Sequence, residues 1–111
     1  MLSKDKRLNL TTDFKFVVSG KRIETPNFKL YLKQGSNEVC KVGIAMSKSE
    51  AKKAHDRNRI RRLTSTAVQS IYPLLPNRLN LVIIPKSSVL TAKVEDLQKE
   101  LKSVKALYTA D

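Results

Sequence analysis

A densely basic stretch, residues 48–63, is the part of the sequence with the clearest chemistry. It holds seven lysines and arginines against two acidic residues, in a chain whose net charge is +12. So much like charge repels itself unless a polyanion neutralises it. Guanidinium groups can hold a phosphate or a guanine edge through two parallel hydrogen bonds. The stretch predicts a nucleic-acid contact by Lys48, Lys52, Lys53, Arg57, Asn58, Arg59, Arg61 and Arg62.

Helical geometry divides this stretch and its continuation into an apolar side and a polar side. The apolar side, which would face a core, comprises Ile60, Leu63, Ala67 and Ile71, with Val68 at its border. The side pointing away comprises Asn58, Arg61, Arg62, Ser65 and Gln69, with Arg57 and Arg59 on the flanks. An ordinary surface helix crossed by ion pairs is the alternative, but few carboxylates are close in sequence.

Catalytic and metal-binding patterns are missing from the sequence. One cysteine and one histidine cannot supply the roughly four ligands of a zinc site. No glycine-rich phosphate loop is present, and His55 and Asp56 are adjacent residues that point about 100° apart on a helix. We expect no catalytic residue and no metal site in the polypeptide.

Composition predicts one folded domain spanning residues 1–111. The chain is 41% hydrophobic, and its pI near 10.1 indicates an anionic partner. No apolar run is long enough to cross a bilayer, so a membrane partner is not expected. A single cysteine, Cys40, excludes an intramolecular disulfide and fits a reducing cytoplasm.

The N-terminal part of the chain predicts an extended arm followed by a short helix. Residues 1–10 are basic and lack periodicity, and Thr11 and Thr12 can cap the helix. Phe14 and Phe16 point to different sides of that helix, so one of them would line a groove.

Two strands should follow, over residues 23–33 with a break near Pro26, and over residues 39–47. We expect them to form an antiparallel hairpin. In the first strand, the core side would comprise Phe28, Leu30 and Leu32, and the outer side Lys29, Tyr31 and Lys33. A tyrosine between two lysines suits base stacking, but solvent-facing tyrosines are also common in strands.

The second half of the chain predicts the end of the basic helix, one more strand and a final helix. The basic helix should end before Pro73, because the residue preceding a proline disfavours helix. Residues 79–85 are apolar on both faces, which is typical of a central strand. A final helix is predicted over residues 91–108.

The sequence resembles the protein subunit of bacterial ribonuclease P over about residues 7–107. The most specific feature is Arg57-Asn58-Arg59 followed by two further arginines, after a strand that ends in Ser47-Lys48. The other matching segments are Arg7-Leu8, Asp13-Phe14, Gly20-Lys21-Arg22, Phe28-Lys29-Leu30-Tyr31, Val42 to Met46, and Leu81-Val82-Ile83-Ile84.

Three positions depart from the family pattern. A glycine is usual in the loop before the basic helix, where this chain has Glu50 to Lys53. A further family arginine falls on Ser65, and a second family aromatic in the first helix falls on Val18.

The resemblance implies an α+β fold, a two-layer α/β sandwich with the order α-β-β-β-α-β-α, also found in a ribosomal protein domain. The basic helix would join two parallel strands by a left-handed crossover, against the usual handedness rule.

The resemblance also implies a function. The catalytic subunit would be an RNA that uses Mg²⁺ to remove the 5′ leader of precursor tRNA. The polypeptide would bind ribonuclease P RNA through the basic residues given above. The leader would lie in a cleft between the first helix and the sheet, near Phe14, Val18, Phe28 and Tyr31.

Two other functions agree with the charge. A structural RNA-binding protein, of the ribosomal kind, would bind RNA without changing a cleavage rate. A DNA-binding module using residues 57–69 as a recognition helix is less consistent, because no short helix precedes it as a helix-turn-helix partner. We therefore expect no DNA partner.

Overall fold

The computed structural model describes residues 2–46 and 53–109. Its helices are α1 (Leu10–Val18), α2 (Ala54–Ile71) and α3 (Val94–Lys102). Its strands are β1 (Lys21–Glu24), β2 (Phe28–Gln34), β3 (Lys41–Ile44) and β4 (Leu79–Pro85). Short 3₁₀ turns cover Lys4–Lys6, Tyr72–Leu74, Ser87–Thr91 and Lys105–Leu107. The α+β class and the predicted element order are confirmed.

The four strands form one sheet in the order β1-β2-β4-β3. β1 pairs antiparallel with β2, β2 antiparallel with β4, and β3 parallel with β4. The predicted hairpin between β2 and β3 is therefore wrong. β4 is apolar on both faces, so a central position buries more of its apolar surface than an edge position would. It therefore lies between β2 and β3. α2 connects the parallel neighbours β3 and β4.

The main face of the sheet carries the larger core. Phe28 and Leu30 of β2 and Ile83 of β4 pack with residues of α2 and α3 there. The second face carries a smaller core, in which Val82 packs with Val17 of α1. Helices therefore cover both faces of β4, as its apolar sequence predicted.

The N-terminal segment is more ordered than the predicted extended arm. Lys4–Lys6 forms a 3₁₀ turn, and Arg7 then pairs with Val42 of β3 as an isolated parallel bridge. Leu8 is buried, and its N–H donates to the Val42 oxygen over 3.0 Å. Burial of Leu8 explains why the segment lies along the sheet edge.

The start of α1 is fixed by Asn9, not by the predicted cap residues Thr11 and Thr12. The Asn9 side chain accepts a hydrogen bond from the Thr11 N–H over 3.0 Å. Gly43 packs closely against this helix start: a Cβ there would lie 2.7 Å from a methyl carbon of Leu10, so a larger residue would require the Leu10 side chain to move.

The last helix is shorter than predicted. α3 ends at Lys102 because Ser103 caps it, its N–H donating to the Lys99 oxygen and its hydroxyl to the Glu100 oxygen. Val104 lies beyond the helix and is still buried. The predicted helix over residues 91–108 therefore starts too early and ends too late.

A carboxylate on α3 ties this helix to the turn between β1 and β2. Glu100 accepts hydrogen bonds from the Thr25 hydroxyl over 2.5 Å, from the Asn27 N–H over 2.8 Å and from the Asn27 amide over 2.6 Å. These charge-assisted bonds join segments that are more than 70 residues apart in sequence.

Candidate nucleic-acid interface

One side of α2 presents a cluster of polar and cationic side chains, which we call the arginine face. Its members are exposed, and they are Asn58, Arg59, Arg61 and Arg62. The opposite side of the helix is anchored by Ile60, Ala67 and Ile71, which are fully buried. The predicted division of α2 into a core side and a cationic side is confirmed for these residues.

The described residues offer no ion-pair partner to Arg59, Arg61 or Arg62. The ion pairs between described residues join Glu24 to Arg22 and to Lys86. Arg57 differs, since it is partly buried and takes part in an interaction of its own. A surface helix crossed by ion pairs therefore does not account for the three exposed guanidinium groups.

The N-terminal end of α2 adds to the positive potential. Lys53 is the N-cap residue, and its side chain makes no cap hydrogen bond. Among the described residues, no side chain therefore offsets the positive end of the helix dipole by capping the first N–H groups. Lysine and arginine near that end are unfavourable for the helix itself, and Asp56 is the only acid in the first turn. An anion bound here would relieve the repulsion.

Lys48 and Lys52 lie outside the described residues, as does most of the loop in which the family glycine is replaced. Their predicted nucleic-acid contacts stay predictions.

Ser65 was predicted to point away from the core, and this is wrong. It is buried, with 8% of its surface exposed, and its neighbour Thr64 is fully buried with a hydroxyl that has no hydrogen-bond partner among the described residues. The reason is the N-terminal segment, which lies beside α2 and forms a pocket with it that Ser65 lines.

A second surface lies between α1 and the second face of the sheet, and we call it the α1 cleft. Four partly buried side chains from four segments meet there over Val17 and Val82, and they are Phe14, Tyr31, Ala45 and Ile84. Val18 is also partly buried, in the last turn of α1. The structure thus brings together two of the predicted cleft residues, Phe14 and Tyr31, and places Val18 one helical turn after Phe14 on α1.

Phe28 does not belong to this cleft, and its prediction is corrected. Side chains alternate along a strand, so Tyr31 faces α1 while Phe28 and Leu30 face α2 and α3. Phe28 is fully buried in the main core and is not accessible to a ligand.

Strand register adds Arg22 to the α1 cleft, beside Lys29, which alternation along the strand had already placed on the side of Tyr31. Arg22 lies opposite Tyr31, and Lys29 lies opposite Ile84, on the same face of the sheet. Arg22 is exposed and pairs with Glu24 over 3.2 Å. Only the pairing of β1 with β2 could have revealed this neighbourhood.

Phe16 lies on the opposite side of α1 from Phe14 and is 45% exposed. The Lys33 ammonium is 4.6 Å from the centre of its ring and also donates to the Ser19 hydroxyl over 2.9 Å. This contact is a cation–π interaction, and it holds an aromatic ring at the surface.

The titratable groups with shifted pKa values lie outside both surfaces or at their margin. Burial raises the pKa of the Cys40 thiol to about 12, so the thiol is neutral at physiological pH. Burial also raises the pKa of Tyr72, whose hydroxyl donates to the Cys40 oxygen. The hydrogen bond from Lys86 lowers the pKa of Glu24.

The described residues contain neither a cluster of metal ligands nor a membrane-spanning helix. No three histidine, cysteine, aspartate or glutamate side chains come close enough together to hold a metal ion. Within the same ranges, every helix is too short or too polar to cross a membrane.

The chain matches known proteins over almost its whole length. The family model described as Ribonuclease P matches residues 2–108. A ribonuclease P protein component from Pseudoalteromonas atlantica is 33% identical over 88 residues, which cover 78% of this chain and 72% of the relative. One from Legionella pneumophila is 43% identical over 61 residues, covering 54% of each.

Two solved structures share the fold. The ribonuclease P protein from Thermotoga maritima, in complex with a fluorophenyl thiourea, has a TM-score of 0.78 at 19% identity and covers 95% of this chain and all of its own. A mutant ribonuclease P protein from Staphylococcus aureus has a TM-score of 0.79 at 19% identity, covering 93% of this chain and 87% of its own.

Proposed function

The chain belongs to the ribonuclease P protein family, the protein component of the bacterial tRNA-processing endoribonuclease, and from this we propose that it binds the RNA subunit through the arginine face. The single observation that carries this proposal is the exposure of Arg59, Arg61 and Arg62 on one helix without described partners. Guanidinium groups in that arrangement suit phosphate oxygens spaced along a folded RNA. Asn58 adds an amide that can both donate and accept.

The α1 cleft is proposed to hold the single-stranded 5′ leader of precursor tRNA. Single strands are bound by aromatic rings on which bases stack, with cations along the phosphate chain. Phe14 and Tyr31 supply the rings, and Arg22 and Lys29 supply cations on the same side of the sheet. Val18 would add apolar contact at the end of α1.

The chemistry of cleavage is proposed to reside in the RNA. Mg²⁺ held by the RNA subunit would supply the Lewis acid that activates water and stabilises the leaving oxygen. The residues of this chain would act by position and charge. The arginine face would reduce repulsion between RNA phosphates, and the α1 cleft would hold the leader in register with the cleavage site.

Single-turnover cleavage of a precursor tRNA by a bacterial ribonuclease P RNA, over a series of Mg²⁺ concentrations, tests this function. We expect the protein to accelerate correct 5′ processing strongly at low Mg²⁺ and only slightly at high Mg²⁺, where the cation itself screens the RNA. Binding of the protein without any change in rate across the series would contradict the proposal and favour a structural RNA-binding protein.

A further inference from the structure

A pocket of about 210 Å³ lies where the N-terminal segment, β3 and α2 meet, and we call it the arm pocket. Most of its lining side chains are apolar, among them Leu2, Leu8, Leu10, Val42 and Val68. The polar side chains that line it are Arg7, Arg61 and Ser65, and no acidic residue among the described ones contributes.

This lining suits a flat, weakly polar group with a negative charge beside it. A phosphate buried among leucines would lose its hydration without enough partners in return, so the charge belongs at the rim with Arg7 and Arg61. Pockets that bury drug-sized ligands measure roughly 300–1,000 Å³, so this smaller space fits a single ring system. A nucleotide has both features, since its base is flat and its phosphate is charged.

Helix spacing places the arm pocket at the border of the arginine face. Arg61, Ser65 and Val68 are separated by four and three residues and therefore project from the same side of α2. Arg61 thus belongs both to the arginine face and to the pocket rim. Ser65 occupies the position at which the ribonuclease P resemblance implied an arginine, and its small side chain leaves this space open.

The outer edge of β3 supplies a backbone donor and a backbone acceptor to the arm pocket. Ala45 donates to the Ile83 oxygen over 2.9 Å, towards β4, whereas the Val42 oxygen accepts from Leu8 at the outer edge. Because these directions alternate along a strand, the N–H and C=O of Ile44 point to the outer edge. The described residues give Ile44 no backbone partner there, and Ile44 lines the arm pocket.

We propose that the arm pocket receives one unstacked nucleobase of the RNA subunit. The phosphates that flank the base lie at Arg7 and Arg61, and the backbone of Ile44 hydrogen-bonds to the edge of the base. This inference rests on the proposed function, because it names a contact within the same RNA complex. It adds a base-specific contact to a surface otherwise defined by charge.

Binding of free nucleotides to the intact protein tests the pocket directly. Methyl resonances of the protein are followed by NMR during titration with AMP, and separately with ribose 5-phosphate, which carries the phosphate but no base. We expect AMP to shift the methyl signals of Leu8, Leu10, Val42 and Val68, and ribose 5-phosphate to leave them in place. Equal shifts with both compounds, or shifts spread along α2 away from the pocket, would overturn the proposal.

Substitutions at Ser65 test the pocket in the RNA complex. Ser65→Leu fills the space, Ser65→Ala keeps it open, and Ser70→Leu is the matched control at an exposed position of the same helix outside the pocket. We expect Ser65→Leu to lose the AMP shifts and to weaken binding of the RNA subunit about tenfold, with an unchanged salt slope because no phosphate contact is removed. Ser65→Ala should retain the AMP shifts because the space stays open, and Ser70→Leu should bind the RNA subunit as the wild type does.

The results of these experiments distinguish a failure of the pocket proposal from a failure of the proposed function. If wild-type protein binds and activates the RNA subunit while Ser65→Leu and Ser65→Ala behave alike, the pocket proposal fails and the proposed function stands. If wild-type protein does not bind the RNA subunit, the proposed function fails first. Circular dichroism shows whether Ser65→Leu folds, and the wild-type AMP titration decides the question without it.

Discussion

The arginine face and the α1 cleft are built in different ways. The arginine face comes from one turn and a half of α2, with exposed Arg59, Arg61 and Arg62 close together in sequence. The α1 cleft brings together side chains from α1, β2, β4 and the residue that follows β3. A surface that acts by charge needs only a helix that is anchored on its other side. A surface that acts by shape needs strand pairing between distant segments.

The arginines of the arginine face and the aromatic rings of the α1 cleft should also respond differently to salt. Contacts between arginine and phosphate release counterions, so their contribution falls as salt rises, by about 0.7–0.9 units of log–log slope per phosphate. Stacking of bases on Phe14 or Tyr31 has no such dependence. The change in salt slope on substitution therefore shows whether the side chains removed contact phosphates or stack on bases.

Loss of two arginines on α2 should have the largest effect. Arg61→Ala combined with Arg62→Ala is expected to weaken binding of the RNA subunit about tenfold per residue, at roughly 1–3 kcal/mol each, and to flatten the salt slope. Filter binding over a salt series measures both. Lys99→Ala combined with Lys102→Ala removes the same charge from exposed positions of α3 and is the matched control. An equal loss of slope in the control would mean that net charge alone, and not the arginine face, determines binding.

Replacement of the cleft aromatics should reduce recognition of the leader and spare the RNA subunit. Phe14→Leu combined with Tyr31→Val keeps apolar packing but removes both rings, and we expect precursor tRNA to bind about tenfold more weakly to the assembled enzyme. Mature tRNA should bind as before, because it has no leader. Phe16→Leu is the matched control on the other side of α1. A larger loss in Phe16→Leu than in the cleft variant would place the leader outside the cleft, against the exposed Phe16 ring.

Removal of the Glu100 carboxylate should affect stability but neither surface. Glu100→Ala leaves Thr25 and Asn27 without their acceptor, so we expect the free energy of unfolding to fall by about 2–3 kcal/mol. Urea denaturation measures the change. RNA-subunit affinity of the folded variant should stay within twofold of the wild type, and a larger drop would mean that the two surfaces depend on this tie.

The Cys40 thiol should be inert in the folded protein. Its raised pKa, about 12, leaves almost no thiolate at pH 8.5, and its side chain is buried in the main core. Iodoacetamide should therefore modify urea-unfolded protein fully while folded protein stays unmodified, as followed by mass spectrometry. Rapid modification of folded protein would contradict the burial. An inert Cys40 also allows a single cysteine introduced at Asn58 or Val18 to carry a label on one surface alone.

Local features were predictable from the sequence, whereas the pairing of the strands was not. The charge of the arginine face, the end of α2 before Pro73 and the central position of β4 follow from neighbouring residues, and the structure agrees. The expected hairpin of β2 with β3 was wrong, because the competing partner, β4, lies about 40 residues later. The position of Ser65 depends on the same kind of distant contact, since Ser65 lines a pocket together with residues of the N-terminal segment.

The α1 cleft shows most clearly what could not be predicted from the sequence. Alternation along β2 correctly separated Tyr31 from Phe28 as outer and core residues, yet the family resemblance placed both in the cleft. Arg22 could be added only when the register of β1 against β2 was known. The start of α1 was predicted at Thr11 and Thr12, whereas the side chain of Asn9 caps the helix in the structure.

A double-mutant cycle on precursor tRNA cleavage tests the separation of the two surfaces most directly. Single-turnover rates at low Mg²⁺ and subsaturating RNA would be compared for wild type, the Arg61/Arg62 alanine variant, the Phe14/Tyr31 variant and their combination. Independent surfaces predict free-energy changes that add to within about 0.5 kcal/mol. Coupling well beyond that, or loss of RNA-subunit binding in the cleft variant alone, would contradict the account, because the two surfaces would then contact one and the same RNA element.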